Sequence, residues 1–292
     1  MTIAFRPLTL EDGPALRAAL DLCPQKASDY TFVNLWAWNG QRRYDVAFDG
    51  DLAWLRATSP KEELWAPLGD WEKADWETLL RQSFHRGALF RRVPEKLARL
   101  LARRLGPSVS IEEERDQWEY LYLVDELIAL EGNRFHKKKN LVNQFLKSYD
   151  WRYVSLSADD GPMIVDLQQA WCRRRNCDET EGLKEENEAI ARVLRDWRTF
   201  PDLMGGALVV NETLVAYTVA EALDDTVVIH FEKGLSDYKG VYQAINRIFL
   251  ERLASFRYVN REQDLGEEGL RKAKMSYNPV DFLRKYAVAW RT

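Results

Sequence analysis

Arg261, Glu262 and Asp264 follow a short apolar run, 256–259, and precede a helical segment bearing Lys272 and Lys274 that stops at Tyr277-Asn278-Pro279. Mixed charges at a strand-to-helix junction suit binding and proton transfer, because loops carry function on a rigid scaffold. Asp264 or Glu262 could bind the ammonium of an aminoacyl group. Arg261 could hold a phosphate or carboxylate in its planar fork. The same three residues could instead form a buried ion network that fixes the turn before Gly266. The helix itself reads as a surface element, with Glu267/Arg271 and Glu268/Lys272 at i,i+4.

His230 and Glu232 lie two apart on an expected strand, so they share a face. A carboxyl group at the end of that strand, in a partly apolar cleft, could have a raised pKa and accept a proton from an attacking amine or hydroxyl. Glu232 and Asp264 are thus the candidate catalytic groups. The alternatives are a satisfied core histidine and a Glu232 paired with Lys233 or Lys239. With three histidines in the chain and no third ligand near this pair, no metal site is expected. Arg134, His136, Lys137, Lys138 and Lys139 form the densest basic run, at the start of a helix whose dipole opposes them. A polyanion there would offset that cost; a solvated linker is the simpler reading. Lys96, Arg99 and Arg103 recur at helical spacing opposite a leucine face, as an ordinary exposed stripe. Trp36, Trp38, Trp54, Trp65, Trp71 and Trp76 read as packing residues.

The chain has 292 residues, 46% hydrophobic, with 11 Trp, enough for two domains and incompatible with wholesale disorder. A net charge of -4 gives no reason to expect DNA binding. Cys23, Cys172 and Cys177 are too few and scattered for a disulfide framework, so reduced thiols and a cytoplasmic protein are expected. No signal-peptide pattern and no transmembrane anchor is expected.

Periodicity orders the second half as β-α-α-β-β-β-α-β-α-β. Strands are expected over 152–156, 207–210, 214–222, 226–232, 256–259 and 287–290. Helices are expected over 163–175, 183–197, 241–253 and 267–275. The first half follows the same order. It has a strand at 3–5, a capped helix start at Thr9, a hairpin about Asp49-Gly50, helices over 71–84 and 95–105, and a strand from Trp118 to Val124. This order matches the GNAT acyltransferase fold placed twice in tandem. Four segments carry a closer resemblance. They are Glu131 to Asn140, His230-Phe231-Glu232-Lys233, Gly240 to Asn246, and Asn260 to Gly266 with Asn278-Pro279. The chain resembles soluble bacterial relatives of the phosphatidylglycerol lysyltransferase C-terminal domain.

The resemblance implies an α+β fold of two GNAT-like domains, 1–140 and 141–292. It implies transfer of an aminoacyl group, borne by aminoacyl-tRNA, to an amine or hydroxyl acceptor such as a lipid head group. Arg261, Glu262, Lys272, Lys274, Tyr277, Arg134, Lys138 and Lys139 are then the expected substrate contacts. Acyl-CoA enzymes of this fold cradle pyrophosphate on a glycine-rich loop at a helix N-terminus. The corresponding segment here, Ser236 to Tyr242, keeps Lys239 and Gly240 as cofactor contacts but places Tyr242 where a small residue belongs. Acyl-CoA is therefore the disfavoured donor. A binding module without transfer chemistry is the remaining alternative.

Overall fold

A computed structural model describes residues 3–291. The chain forms two compact units. One runs to Glu119 and adds Gln263–Glu267 and the segment from Phe282; the other holds Tyr120–Glu262 and Glu268–Asp281. The strands are β1 (Arg6–Pro7), β2 (Tyr44–Asp49), β3 (Leu52–Ala57), β4 (Glu63–Trp65), β5 (Leu68–Gly69), β6 (Ala88–Pro94), β7 (Val109–Glu113) and β8 (Glu119–Leu123). They continue with β9 (Trp151–Leu156), β10 (Leu203–Val210), β11 (Thr213–Leu223), β12 (Thr226–Gly234), β13 (Tyr258–Gln263), β14 (Asp281–Leu283) and β15 (Lys285–Trp290). One sheet has the order β1-β2-β3-β4-β6-β15-β7, with β5 beside β3; the other has the order β14-β8-β13-β12-β11-β10-β9. Both sheets are mainly antiparallel and flanked by helices, as in tandem GNAT-like domains of an α+β fold.

Local sequence explains most elements. Helix Glu181–Arg195 buries Ala189, Ile190, Val193 and Leu194 as one stripe. β11 is buried from Leu214 to Glu221 because helices cover the second sheet, so its apolar run is nearly continuous. Helix Phe32–Arg42 is missing from the periodicity reading; Thr31 caps it by accepting from the Asn34 amide at 3.3 Å. The helix expected from residue 71 starts at Trp76, where Asp75 supplies the cap. Trp54, Trp65, Trp71 and Trp76 are all fully buried, as packing residues.

Two strands sit in other sheets than their place in the chain suggests. β8 joins the second sheet, and the C-terminal β15 inserts between β6 and β7 of the first, antiparallel to both. Lys285 explains the second insertion. Its ammonium is fully buried and pairs with Asp29 and, at 2.6 Å, with Glu119. Asp29 also takes Arg92 at 2.6 Å, and Glu119 accepts the Ser28 amide at 3.0 Å. Two acids and two bases therefore balance in the core.

The thiols also differ from expectation. A left-handed Asn176 ends helix Gly161–Arg175 and turns the chain back, so Cys172 and Cys177 stand with Cα atoms 5.0 Å apart and are joined as a disulfide. Among the described residues no helix is long and apolar enough to cross a membrane.

Lys285→Met removes the cation between two buried carboxylates. Stability should fall by about 3–5 kcal/mol, read by urea denaturation; a loss below about 1 kcal/mol would show that the network does not hold β15.

Candidate functional site

The second unit carries a break in its central sheet. β12 and β13 run parallel, with Thr226, Val227 and Val228 opposite Tyr258, Val259 and Asn260. The ladder ends there, while β12 continues to Gly234 and β13 to Gln263. β12 also bulges. Phe231 faces Val219 and Ile229 faces Ala220 on β11, which leaves His230 as the extra residue. Bulging re-aims side chains, and both His230 and Glu232 find partners on β13. Arg261 and Glu262 were expected in a loop after residue 259; they belong to β13 itself, which is flanked on its other side by β8.

Glu232 is held from two elements. Its Oε1 accepts from Arg261 Nη2 at 2.9 Å and its Oε2 from Asn246 Nδ2 at 3.1 Å. The expected pairing with Lys233 or Lys239 does not form: Lys233 binds Glu186 at 2.7 Å and lies over the Trp171 ring. Arg261 stacks on Tyr277, 4.9 Å from the ring centroid, and Lys138 Nζ stands 4.1 Å from the same centroid. Lys274 is buried and donates to the Arg261 carbonyl at 2.6 Å, while Tyr122 donates to the Lys274 carbonyl at 2.9 Å. Glu232, Arg261, Tyr277, Lys138 and Lys274 thus form one linked cluster. Asn246 and Tyr122 complete it, and the sequence reading did not single them out. The signal for Asn246 was a polar residue inside the apolar stripe Ile245, Ile248, Phe249.

His230 braces the break. Its Nε2 lies 2.8 Å from Glu221 on β11 and its Nδ1 2.9 Å from Glu262 on β13. Glu262 reaches it from a left-handed backbone, φ 56°, with its amide on the Asn260 side chain at 2.8 Å. Burial alone would favour neutral imidazole. The charge of Glu221 and the hydrogen bonds to both carboxylates reverse this and push the His230 pKa up to about 10. His230 is therefore an imidazolium at neutral pH, fixing three strands.

Of the other expected site residues, Asp264 belongs to the first unit. It is fully buried, accepts from the Gly266 amide at 2.9 Å and pairs with Arg115 at 3.3 Å, so it fixes a turn. Lys272 is exposed and pairs with Glu268 at 2.6 Å. Arg134 pairs with Glu126, and Lys139 is half-buried. At the loop compared with a pyrophosphate cradle, Gly240 has φ 85° and lies directly against the Leu141 carbonyl, where a Cβ would stand 2.1 Å from the oxygen. The Lys239 amide donates to Tyr149 Oη at 3.1 Å, the Val241 amide to the Tyr238 carbonyl at 3.0 Å, and Tyr242 Oη accepts from Trp171 at 2.9 Å. Two amides at this helix start, those of Lys239 and Val241, thus donate within the protein. Among the described residues no cluster of potential metal ligands is present.

His230→Gln should flatten the alkaline limb of the stability profile. The wild-type folded pKa lies above the unfolded value near 6.5. This stabilisation is complete below about pH 6.5 and is lost as pH rises through about 10. Urea denaturation of both proteins between pH 7 and 10 checks it; parallel profiles would contradict a cationic brace.

Comparison with known proteins agrees with this architecture. The family described as "Phosphatidylglycerol lysyltransferase, C-terminal" matches residues 20–289. A crystal structure of a protein of unknown function from Bacteroides thetaiotaomicron is 30% identical, with a TM-score of 0.90 over 99% of this chain and 100% of that one. The C-terminal domain of a putative lysylphosphatidylglycerol synthetase from Agrobacterium fabrum shares the fold at 12% identity, with a TM-score of 0.66 over 97% of this chain and 92% of that one. An uncharacterized protein of Mycoplasmoides gallisepticum is 22% identical over 171 residues, 58% of this chain; the match spans about half, 55%, of that relative. The chain belongs to the phosphatidylglycerol lysyltransferase C-terminal family.

Proposed function

We propose that the second unit transfers an aminoacyl group from an activated ester, such as aminoacyl-tRNA, to an amine or hydroxyl acceptor at the parting of β12 and β13. The observation that carries this reading is the ladder ending at Val228/Asn260, with Glu232 and Arg261 facing each other beyond it. Parted strands leave backbone amides without a strand partner, and such amides could stabilise the oxyanion formed as the acceptor attacks the ester carbonyl. The acceptor's proton passes to Glu232, whose carboxylate keeps lone pairs beyond the two that Arg261 and Asn246 use. The ester oxygen leaves as the carbonyl re-forms, taking that proton from Glu232, which returns to its carboxylate form. Family membership supports acyl transfer. The name of the Agrobacterium fabrum relative makes a lipid head group a reasonable acceptor. The close approach of Leu141 to Gly240 and the Lys239 amide already bound to Tyr149 support an ester donor over acyl-CoA, because they restrict the backbone that would cradle a pyrophosphate.

The test supplies purified protein with aminoacylated tRNA and phosphatidylglycerol or a simple amine, and follows product by mass spectrometry. Wild type should form an aminoacyl product, and Glu232→Gln should slow it about 100-fold or more. Transfer from acetyl-CoA but not from aminoacyl-tRNA would overturn the donor assignment. No product from either donor would favour a binding module.

A further inference from the structure

We propose that Lys138 anchors a singly charged anionic group, a phosphodiester or a carboxylate, on the substrate taken at the parting of β12 and β13. The inference rests on the acyl-transfer reading but concerns binding, which is measured without turnover.

The other cations of the cluster and its brace have partners. Arg261 binds Glu232, His230 bridges Glu221 and Glu262, Lys274 binds the Arg261 carbonyl, and Arg134 binds Glu126. Lys138 differs. It is half-buried on Tyr277, and among the described residues no carboxylate or other hydrogen-bond acceptor meets its ammonium. Stacking on a ring stabilises a cation but leaves its three donors unused. A second donor nearby is also unmet: Arg261 Nη1 is buried without a hydrogen-bond partner. An unmet buried donor costs free energy that an incoming acceptor would recover.

Charge decides the class of ligand. Arg261, Lys138 and Lys274 gather with Glu232 through the Tyr277 ring and the Arg261 carbonyl, and His230 stands between Glu221 and Glu262, so the seven groups together carry one positive charge in excess. A phosphodiester or carboxylate balances it; a phosphate dianion would leave an excess negative charge beside Glu232. Burial and the Arg261 charge both pull the Lys138 pKa down, and a bound anion would relieve that repulsion. Tyr277 is itself buried and presents a fixed platform. The first turn of helix His136–Ser148 holds Lys138 and contains no acid to compete for it. The exposed stripe in the other unit lacks this character, since Lys96 binds the Pro24 carbonyl, Arg99 binds Glu95 and Arg103 meets Glu72.

The experiment titrates the full chain with dimethyl phosphate and, separately, with N-acetylglycine, following both by calorimetry and NMR. Wild type, Lys138→Met and Lys138→Arg are compared, with thermal melting to verify folding. Wild type should bind at least one anion saturably, and Lys138→Met should weaken that binding about tenfold or more. Lys138→Arg should retain most of it. The stronger ligand tells a phosphate-bearing from a carboxylate-bearing substrate. No saturable binding of either anion, or equal binding by wild type and Lys138→Met, would overturn the proposal. Binding by wild type without aminoacyl product would leave the anchor standing and remove the enzyme reading instead.

Discussion

Everything proposed for the second unit depends on keeping two parallel strands apart after they have begun to pair. Separated strands expose backbone donors and acceptors, which a sheet ordinarily satisfies by closing. Two charged links replace the missing ladder. Arg261 reaches across to Glu232, and the His230 imidazolium ties β12 to Glu221 on one side and Glu262 on the other. Buried ion pairs of this kind add little net stability against an apolar alternative, because desolvation offsets attraction. They do define position, since removing either partner strands a charge in the interior. The left-handed backbone at Glu262 and the bulge at His230 are the conformational costs of aiming these side chains.

The other unit uses buried charge differently. Lys285, Asp29, Glu119 and Arg92 are matched within the core, and Asp29 also accepts from Gln263 at 3.0 Å. Gln263 and Asp264 come directly after the cluster-bearing part of β13 in the chain, but belong to this unit. Residues from Arg261 to Asp264, which look like one charged motif in sequence, therefore divide between two tasks. Arg261 and Glu262 bind Glu232 and His230 of β12; Gln263 binds Asp29 and Asp264 pairs with Arg115.

The order of elements in the second half was legible because helices and strands announce themselves through local periodicity. The stripe of Ile190, Val193 and Leu194 and the runs of β11 and β12 are read over a few residues. Gly240 was legible as a special position, but its reason was not: a glycine that admits the Leu141 carbonyl looks in sequence like one that admits a phosphate. Pairings over long separations were out of reach. Glu232 offered several cations nearby in sequence, yet its partner Arg261 lies 29 residues on, and that choice is made by tertiary structure. The same holds for Lys285, whose partners Asp29 and Glu119 lie far back in the chain, so β15 read as the last strand of the second half. Glu221 and Asn246 left faint signals, as polar residues interrupting apolar stretches. The bond between Cys172 and Cys177 turns on the left-handed Asn176, which composition does not reveal.

The central claim is that the parted strands receive the substrate. A crystal structure of the protein with a non-hydrolysable 3′-aminoacylamino nucleoside tests it most directly. The account predicts the aminoacyl carbonyl between β12 and β13, within hydrogen-bonding reach of Glu232. Ligand bound instead at the Gly240 end of helix Val241–Leu250, or with Glu232 and Arg261 closed and untouched, would contradict it.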